Sequence, residues 1–235
     1  MEEYKALEKN IKITTWLPPE MVTLRPQEKM RITFVDGAFQ LYGHQKEARH
    51  IIRKMRAYFR TRYDLEDHPE DRKTDWKIGD VCVSKIDNNW YRAKVIEMSN
   101  TKRYAAVIYV DLGNIRVVDI LDLRIPTAFA NQPSLAIRMV LESVIPPKGN
   151  KVFPHPTLEA IQEEIVYWNT GYVKVTSTRK VKTFPIPIKL YLVNKNGERE
   201  EYEDFGQTLL NCELADTGDV DILSPHYTLY ARTGN

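Results

Sequence analysis

Between Asp80 and Val118 the chain reads as four short apolar-rich runs: Asp80–Ile86, Trp90–Glu97, Arg103–Val110 and Ile115–Val118. They are separated by Asp87-Asn88-Asn89, Ser99-Asn100 and Leu112-Gly113-Asn114. Runs this short, rich in Val, Ile and Tyr and cut by Asn, Asp and Gly, carry the punctuation of strands joined by tight turns. That many turns in so short a stretch predicts a small, strongly bent barrel. The third run ends as Val107-Ile108-Tyr109-Val110-Asp111-Leu112-Gly113-Asn114. A strand that ends in a carboxylate, a glycine and an amide supplies the chemistry of a ligand-binding turn as well as that of a chain reversal.

The flanks have a different grain. Residues 1–30 read as irregular, broken by Pro18-Pro19 and Pro26. Arg31–Val35 and Phe39–Tyr42 alternate around Asp36-Gly37-Ala38, a hairpin signal. Ala48, Ile51, Ile52, Met55, Tyr58, Phe59 and Tyr63 then recur at three- and four-residue steps, which predicts one long helix with a single buried stripe. After Pro126 come a strand at Ala136–Leu141, a helix from Thr157 to Trp168, strands at Tyr172–Ser177, Ile188–Val193 and Glu198–Phe205, and a last helix at Gln207–Leu214. The order fits a mainly β, α+β chain in which a small barrel is inserted into a split β-rich domain. The expected division is 1–30 irregular, 31–74 first part of the outer lobe with the linking helix, 75–125 barrel core, and 126–235 remainder of the lobe.

The 34 basic and 32 acidic residues nearly cancel, so no global field points to a nucleic-acid partner. There is no apolar run near 18 residues and no signal-peptide pattern, so neither a membrane nor an export route is expected. Cys82 lies between Val81 and Val83, and Cys212 follows Leu209-Leu210-Asn211. Two lone, buried thiols suggest a reducing, cytoplasmic compartment. Phosphate-loop, dinucleotide-binding, nucleophile-elbow and Cys-x-x-Cys patterns are all missing, and the five histidines are scattered. The expectation is a non-enzyme with no cofactor and no metal.

Gly79-Asp80-Val81-Cys82-Val83, then Trp90-Tyr91-Arg92-Ala93-Lys94-Val95, then Tyr109-Val110-Asp111-Leu112-Gly113-Asn114 resembles the Tudor domain family. The resemblance is strongest to the extended Tudor type of Tudor–staphylococcal-nuclease proteins and germline piRNA-pathway scaffolds of the Krimper-like kind. It implies a Tudor barrel set in a split OB/nuclease-like lobe. It also implies a PIWI-family Argonaute N-terminal arginine-rich peptide as partner, and a perinuclear germline granule as location. In that family an arginine, usually symmetrically dimethylated, enters a box of four aromatic rings while a turn asparagine hydrogen-bonds its guanidinium. Ring faces suit this ligand because methylation removes N–H donors and keeps the charge.

Carried over by motif, Tyr91 and Tyr109 match two cage rings and Asn114 matches the guanidinium partner. Asp111 matches the turn aspartate, expected to hold the turn by accepting backbone N–H bonds. The other two cage positions depart, with Ile86 and Leu112 where the family has aromatic rings. Each cation–π contact contributes roughly 0.5–2 kcal/mol, so two lost rings remove about 1–4 kcal/mol. The resemblance therefore implies a pocket that does not depend on methylation, or that prefers unmethylated arginine. Arg116 stands where relatives carry an acid, and an alternating strand leaves its side open. Two other readings stand beside this one. The basic helix residues Arg49, Arg53, Lys54, Arg56, Arg60 and Arg62 could track single-stranded RNA, although a solvated face accounts for them. A scaffold that only self-associates is the other.

Overall fold

The computed structural model describes residues 3, 28–36, 40–66, 68–150, 153–167, 173–175, 185–196 and 199–218. The described residues form two compact units, one holding Glu47–Ala136 and the other those of 28–46 and 137–218.

The first unit starts with helix α1 (Ala48–Arg60), prolonged by a wider helical turn over Thr61–Leu65. The predicted stripe is real but uneven. Ala48, Met55 and Phe59 are buried, Ile51, Ile52 and Tyr63 are half-buried, and Tyr58 is exposed. Met55 and Phe59 pack on Val83 and Trp90, with Tyr63 stacked on Phe59 at 5.7 Å and 5.1 Å from Trp90. The helix is therefore part of this unit's core.

Four antiparallel strands follow, β3 (Val81–Ile86), β4 (Asn89–Met98), β5 (Tyr104–Tyr109) and β6 (Ile115–Asp119), paired in sequence order. β1 (Glu28–Val35) and β2 (Gln40–His44) belong to the other unit. A two-residue loop joins β3 to β4, with Asp87 and Asn88 both at positive φ, the conformation whose twist matches the flanking strands. A bulge in β4 between Val95 and Glu97 adds bend. The free edge of β3 is met by the segment after β6: Val83 and Arg124 exchange both backbone hydrogen bonds, at 2.9 and 3.0 Å. The sheet thus curls back on itself, as the dense turn spacing predicts. Its inner face carries Cys82, Ile86, Ala93, Val95, Ala105, Val107, Tyr109 and Leu123 in one buried cluster.

The second unit is a seven-stranded sheet. Its strands are β1 (Glu28–Val35), β2 (Gln40–His44), β7 (Ile137–Leu141), β9 (Val173–Val175), β10 (Ile186–Ile188), β11 (Leu190–Asn196) and β12 (Arg199–Asp204). They are ordered β10-β7-β2-β1-β9-β11-β12. Every pair is antiparallel except β10–β7. Helices α2 (His155–Tyr167) and α3 (Phe205–Asn211) cover the core through Ile161, Ile165, Phe205 and Leu209. A short ladder pairs β8 (Val144–Ile145) with β13 (Asp216–Thr217). The acidic strand β12 ends the sheet, a place where charge discourages edge-to-edge pairing.

Several expectations need correction. β1 begins at Glu28, inside the segment read as irregular, while residues 4–27 lie outside the described residues. The Gly37-Ala38 turn and Trp168 lie outside them as well. Helix α3 starts two residues early because Asp204 caps it, its side chain accepting from Gln207 N at 3.2 Å, and it ends at Asn211. That early end leaves Cys212 beyond the helix and exposed, contrary to the buried reading, whereas Cys82 is fully buried and its thiol pKa is pushed up by that burial.

Candidate functional site

Pairing register places the matched residues on one face. Ser84 lies opposite Tyr91, and Ala93 opposite Tyr109. Because side chains alternate, Ile86, Ser84, Tyr91, Ala93 and Tyr109 all project to the inner side of the sheet. Tyr109 N donates to Asn114 O at 2.9 Å, which sets Asn114 directly across from Tyr109. Between them the chain reverses sharply. Tyr109 O accepts from Leu112 N (3.0 Å) and Gly113 N (2.8 Å), and Gly113 takes φ +97°, a conformation open to glycine.

The rings of Tyr91 and Tyr109 stand edge to face, 6.4 Å apart and 87° between planes. Two perpendicular rings form a corner, the element from which an aromatic box is built. Ile86 is buried in the same cluster, and Leu112 packs half-buried against it. Tyr91, Tyr109, Ile86 and Leu112 are therefore brought together, with two rings and two aliphatic walls. Tyr109 is wholly buried, and its hydroxyl donates to Ser84 Oγ at 3.1 Å. Burial holds its phenol above the ordinary pKa, partly offset by the Ser84 bond and by the nearby Arg116 guanidinium. A side chain entering this corner must displace Leu112 or turn Tyr91.

Asn114 is half-buried, yet its amide oxygen Oδ1 is fully enclosed and accepts no hydrogen bond from any described residue. An enclosed acceptor without a donor costs about 1–3 kcal/mol relative to a satisfied one.

Asp111 behaves differently. It is buried and accepts from the equally buried Arg92, Nε at 2.9 Å and Nη2 at 2.5 Å. The remaining Arg92 donors go to main-chain carbonyls: Nη1 to Phe129 O (2.9 Å) and Gln132 O, and Nη2 to Pro133 O (2.9 Å). Asp111 Oδ1 also accepts from Leu135 N at 3.1 Å. It thus holds a backbone N–H in the segment after the barrel. Its role is to tie the turn to residues 129–135 through a saturated ion pair.

Two residues near the Tyr91–Tyr109 corner have a placement that was not readable from pattern. Arg116 lies opposite Val107, which alternation places on the Tyr109 face, so the cation is exposed on the pocket side of β6. Arg56 of α1 lies over the Tyr91 ring, Cζ 5.5 Å from its centroid, and Nη2 donates to Asn89 Oδ1. Asn89 is itself oriented by donating to Asp87 O at 2.9 Å. Among the described residues no three His, Cys, Asp or Glu side chains group in a way that could hold a metal ion, and no helix is long and apolar enough to cross a membrane.

A curled four-stranded sheet with a two-ring corner and an aspartate-tied turn defines a small-barrel domain. The chain belongs to the Tudor domain family, which matches residues 25–143. The human TDRD1 extended Tudor domain, solved with a symmetrically dimethylated E2F peptide, is 20% identical with TM-score 0.65, covering 86% of this chain and 96% of that one. The Drosophila melanogaster Papi extended Tudor domain, solved as a single-residue variant with a Piwi N-terminal peptide bearing dimethylated arginine, is 16% identical with TM-score 0.61, covering 81% and 99%. The fold is that of extended Tudor domains. A curated relative, the KH domain-containing protein akap-1 of Caenorhabditis elegans, is 23% identical over 175 residues, 74% of this chain. The chain spans about a fifth of that relative's length, 20%.

Proposed function

We propose that the chain is a non-catalytic reader of an arginine-bearing flexible peptide, and that its pocket accepts arginine without requiring methylation. One observation carries this reading: the enclosed, donorless Oδ1 of Asn114, set across from Tyr109 at the two-ring corner. An arriving guanidinium N–H satisfies that acceptor while its charge rests on a ring face. Unmodified arginine keeps all five donors, whereas dimethylation removes two and relies on ring faces in exchange. Here Ile86 and Leu112 offer aliphatic walls in place of rings, so the exchange favours the unmodified side chain. Because the solved relatives include a Papi–Piwi peptide complex, the partner we propose is the N-terminal arginine-rich tail of a PIWI-family Argonaute. A perinuclear germline granule in the cytoplasm is the setting that goes with it.

Calorimetric titration with matched Arg-Gly/Arg-Ala-rich tail peptides, unmodified and symmetrically dimethylated, tests the reading. The unmodified peptide is expected to bind as well or better. Binding of the dimethylated peptide alone would contradict it.

A second reading has its own observation. Arg53, Lys54 and Arg60 are exposed on α1, which carries no acidic residue. Such a row suits a single-stranded RNA backbone, and affinity for RNA would then fall steeply with salt, in proportion to the phosphates contacted.

A further inference from the structure

Arg56 is the feature of the pocket that the peptide reading leaves unused. Its guanidinium lies over the Tyr91 ring at 5.5 Å, the kind of contact an incoming arginine would make with the same ring. It is not there by accident of a long, loose side chain. Asn89 at the start of β4 accepts from its Nη2, Asp87 O fixes Asn89 in turn, and the residue is half-buried. Among the described residues its charge is matched by no ion pair: its partners there are an aromatic ring and a neutral amide. A second cation, Arg116, lies on the same side of the sheet as Tyr109. One of the two cage rings is therefore already engaged by the protein's own guanidinium, and the pocket is flanked by positive charge.

Resting on the peptide reading, we infer that Arg56 is a specificity-determining residue that competes with the ligand's cationic side chain for the Tyr91 ring. Binding of a peptide arginine requires Arg56 to leave that ring or to share it against like-charge repulsion. The domain consequently admits only those peptides whose other contacts outweigh this cost, and modulates the pocket from the helix rather than from the barrel. An arginine at this helical position also explains how a corner with two rings left can stay closed: its side chain covers the Tyr91 face.

The test uses the full chain and a fluorescein-labelled Arg-Gly-rich peptide with unmodified arginines, titrated against wild type, Arg56→Gln and Arg56→Lys. Gln is a good helix former and removes the charge, the ring contact and the bond from Nη2 to Asn89. Arg56→Gln is expected to bind about two- to thirtyfold tighter, the range set by one cation–π contact. Arg56→Lys keeps the cation and is expected to stay within about twofold of wild type. The gap between Arg56→Gln and wild type is expected to narrow between about 50 and 500 mM salt, because screening weakens the like-charge component. Asn89→Ala, which removes the bond that parks Arg56, gives a smaller gain in the same direction and serves if Arg56→Gln unfolds. Equal or weaker binding by both Arg56→Gln and Asn89→Ala, with wild type still binding, overturns the inference and leaves the peptide reading intact. Failure of every folded variant to bind overturns both.

Discussion

At one end of the Asp111–Asn114 turn, Arg92 spends its N–H donors on Asp111 and three main-chain carbonyls inside the protein. At the other end, Asn114, across from Tyr109, holds an enclosed oxygen that accepts from none of the described residues. The turn is short, yet its two ends have opposite accounts of polar satisfaction. A fully paired buried network fixes geometry, and an unpaired buried acceptor is a cost that structure alone does not explain. The difference teaches where to look for function. Asp111 matches the family motif and is tied into residues 129–135 by a buried ion pair, while Asn114 and the corner around it are where the proposed peptide arginine would enter.

The largest expected effect breaks the saturated end. Asp111→Ala leaves the Arg92 charge buried without its carboxylate, and should lower unfolding free energy by about 3–5 kcal/mol, read by denaturant melts. A loss below about 1 kcal/mol would show that water reaches Arg92. Next comes the turn between the two ends. Gly113→Ala forces a Cβ onto a φ of +97°, with an expected loss of about 1–2 kcal/mol in the same melts. The third prediction acts on binding at the unsatisfied end. Leu112→Tyr restores a ring, and calorimetry should show it strengthening a dimethylated peptide by roughly 0.5–2 kcal/mol more than an unmodified one.

The smallest effect lies away from the pocket. His68, bonded to Glu66 and then Glu70, has a raised pKa in the folded chain. A raised histidine pKa adds stability that is complete below the unfolded value near 6.5 and is lost as pH climbs through the folded value. Melting temperature should therefore fall slightly from about pH 6 to pH 8 in wild type, and less in His68→Gln.

The barrel was legible because period-two runs and Asn/Asp/Gly turns are local signals: all four strands fall within one residue of the sequence reading. Tyr91, Tyr109, Leu112 and Asn114 follow from the family resemblance, residue by residue, and not from spacing; the strand register puts Tyr91, Tyr109 and Asn114 on one face of the sheet. What could not be read depends on partners remote in the chain. Arg92 is satisfied by the carbonyls of Phe129, Gln132 and Pro133, and a carbonyl has no side-chain signature. Arg116 could not be assigned a side until the β5–β6 register was known, since a one-residue slip reverses every side chain. Arg56 looked like one more cation on a solvated helix face. Its contact with Tyr91 arises from how α1 packs on the sheet, which periodicity does not encode. The parallel β10–β7 pair was likewise invisible, joining residues 186–188 to 139–141.

The central claim is that Asn114 is the hydrogen-bond partner of a peptide arginine. A double-mutant cycle tests it directly, pairing Asn114→Ala with replacement of the peptide's arginine by norleucine and following affinity by calorimetry. The account predicts a coupling of about 1 kcal/mol or more, since removing either partner abolishes the same bond. Strictly additive losses, with Asn114→Ala weakening both peptides equally, would contradict it.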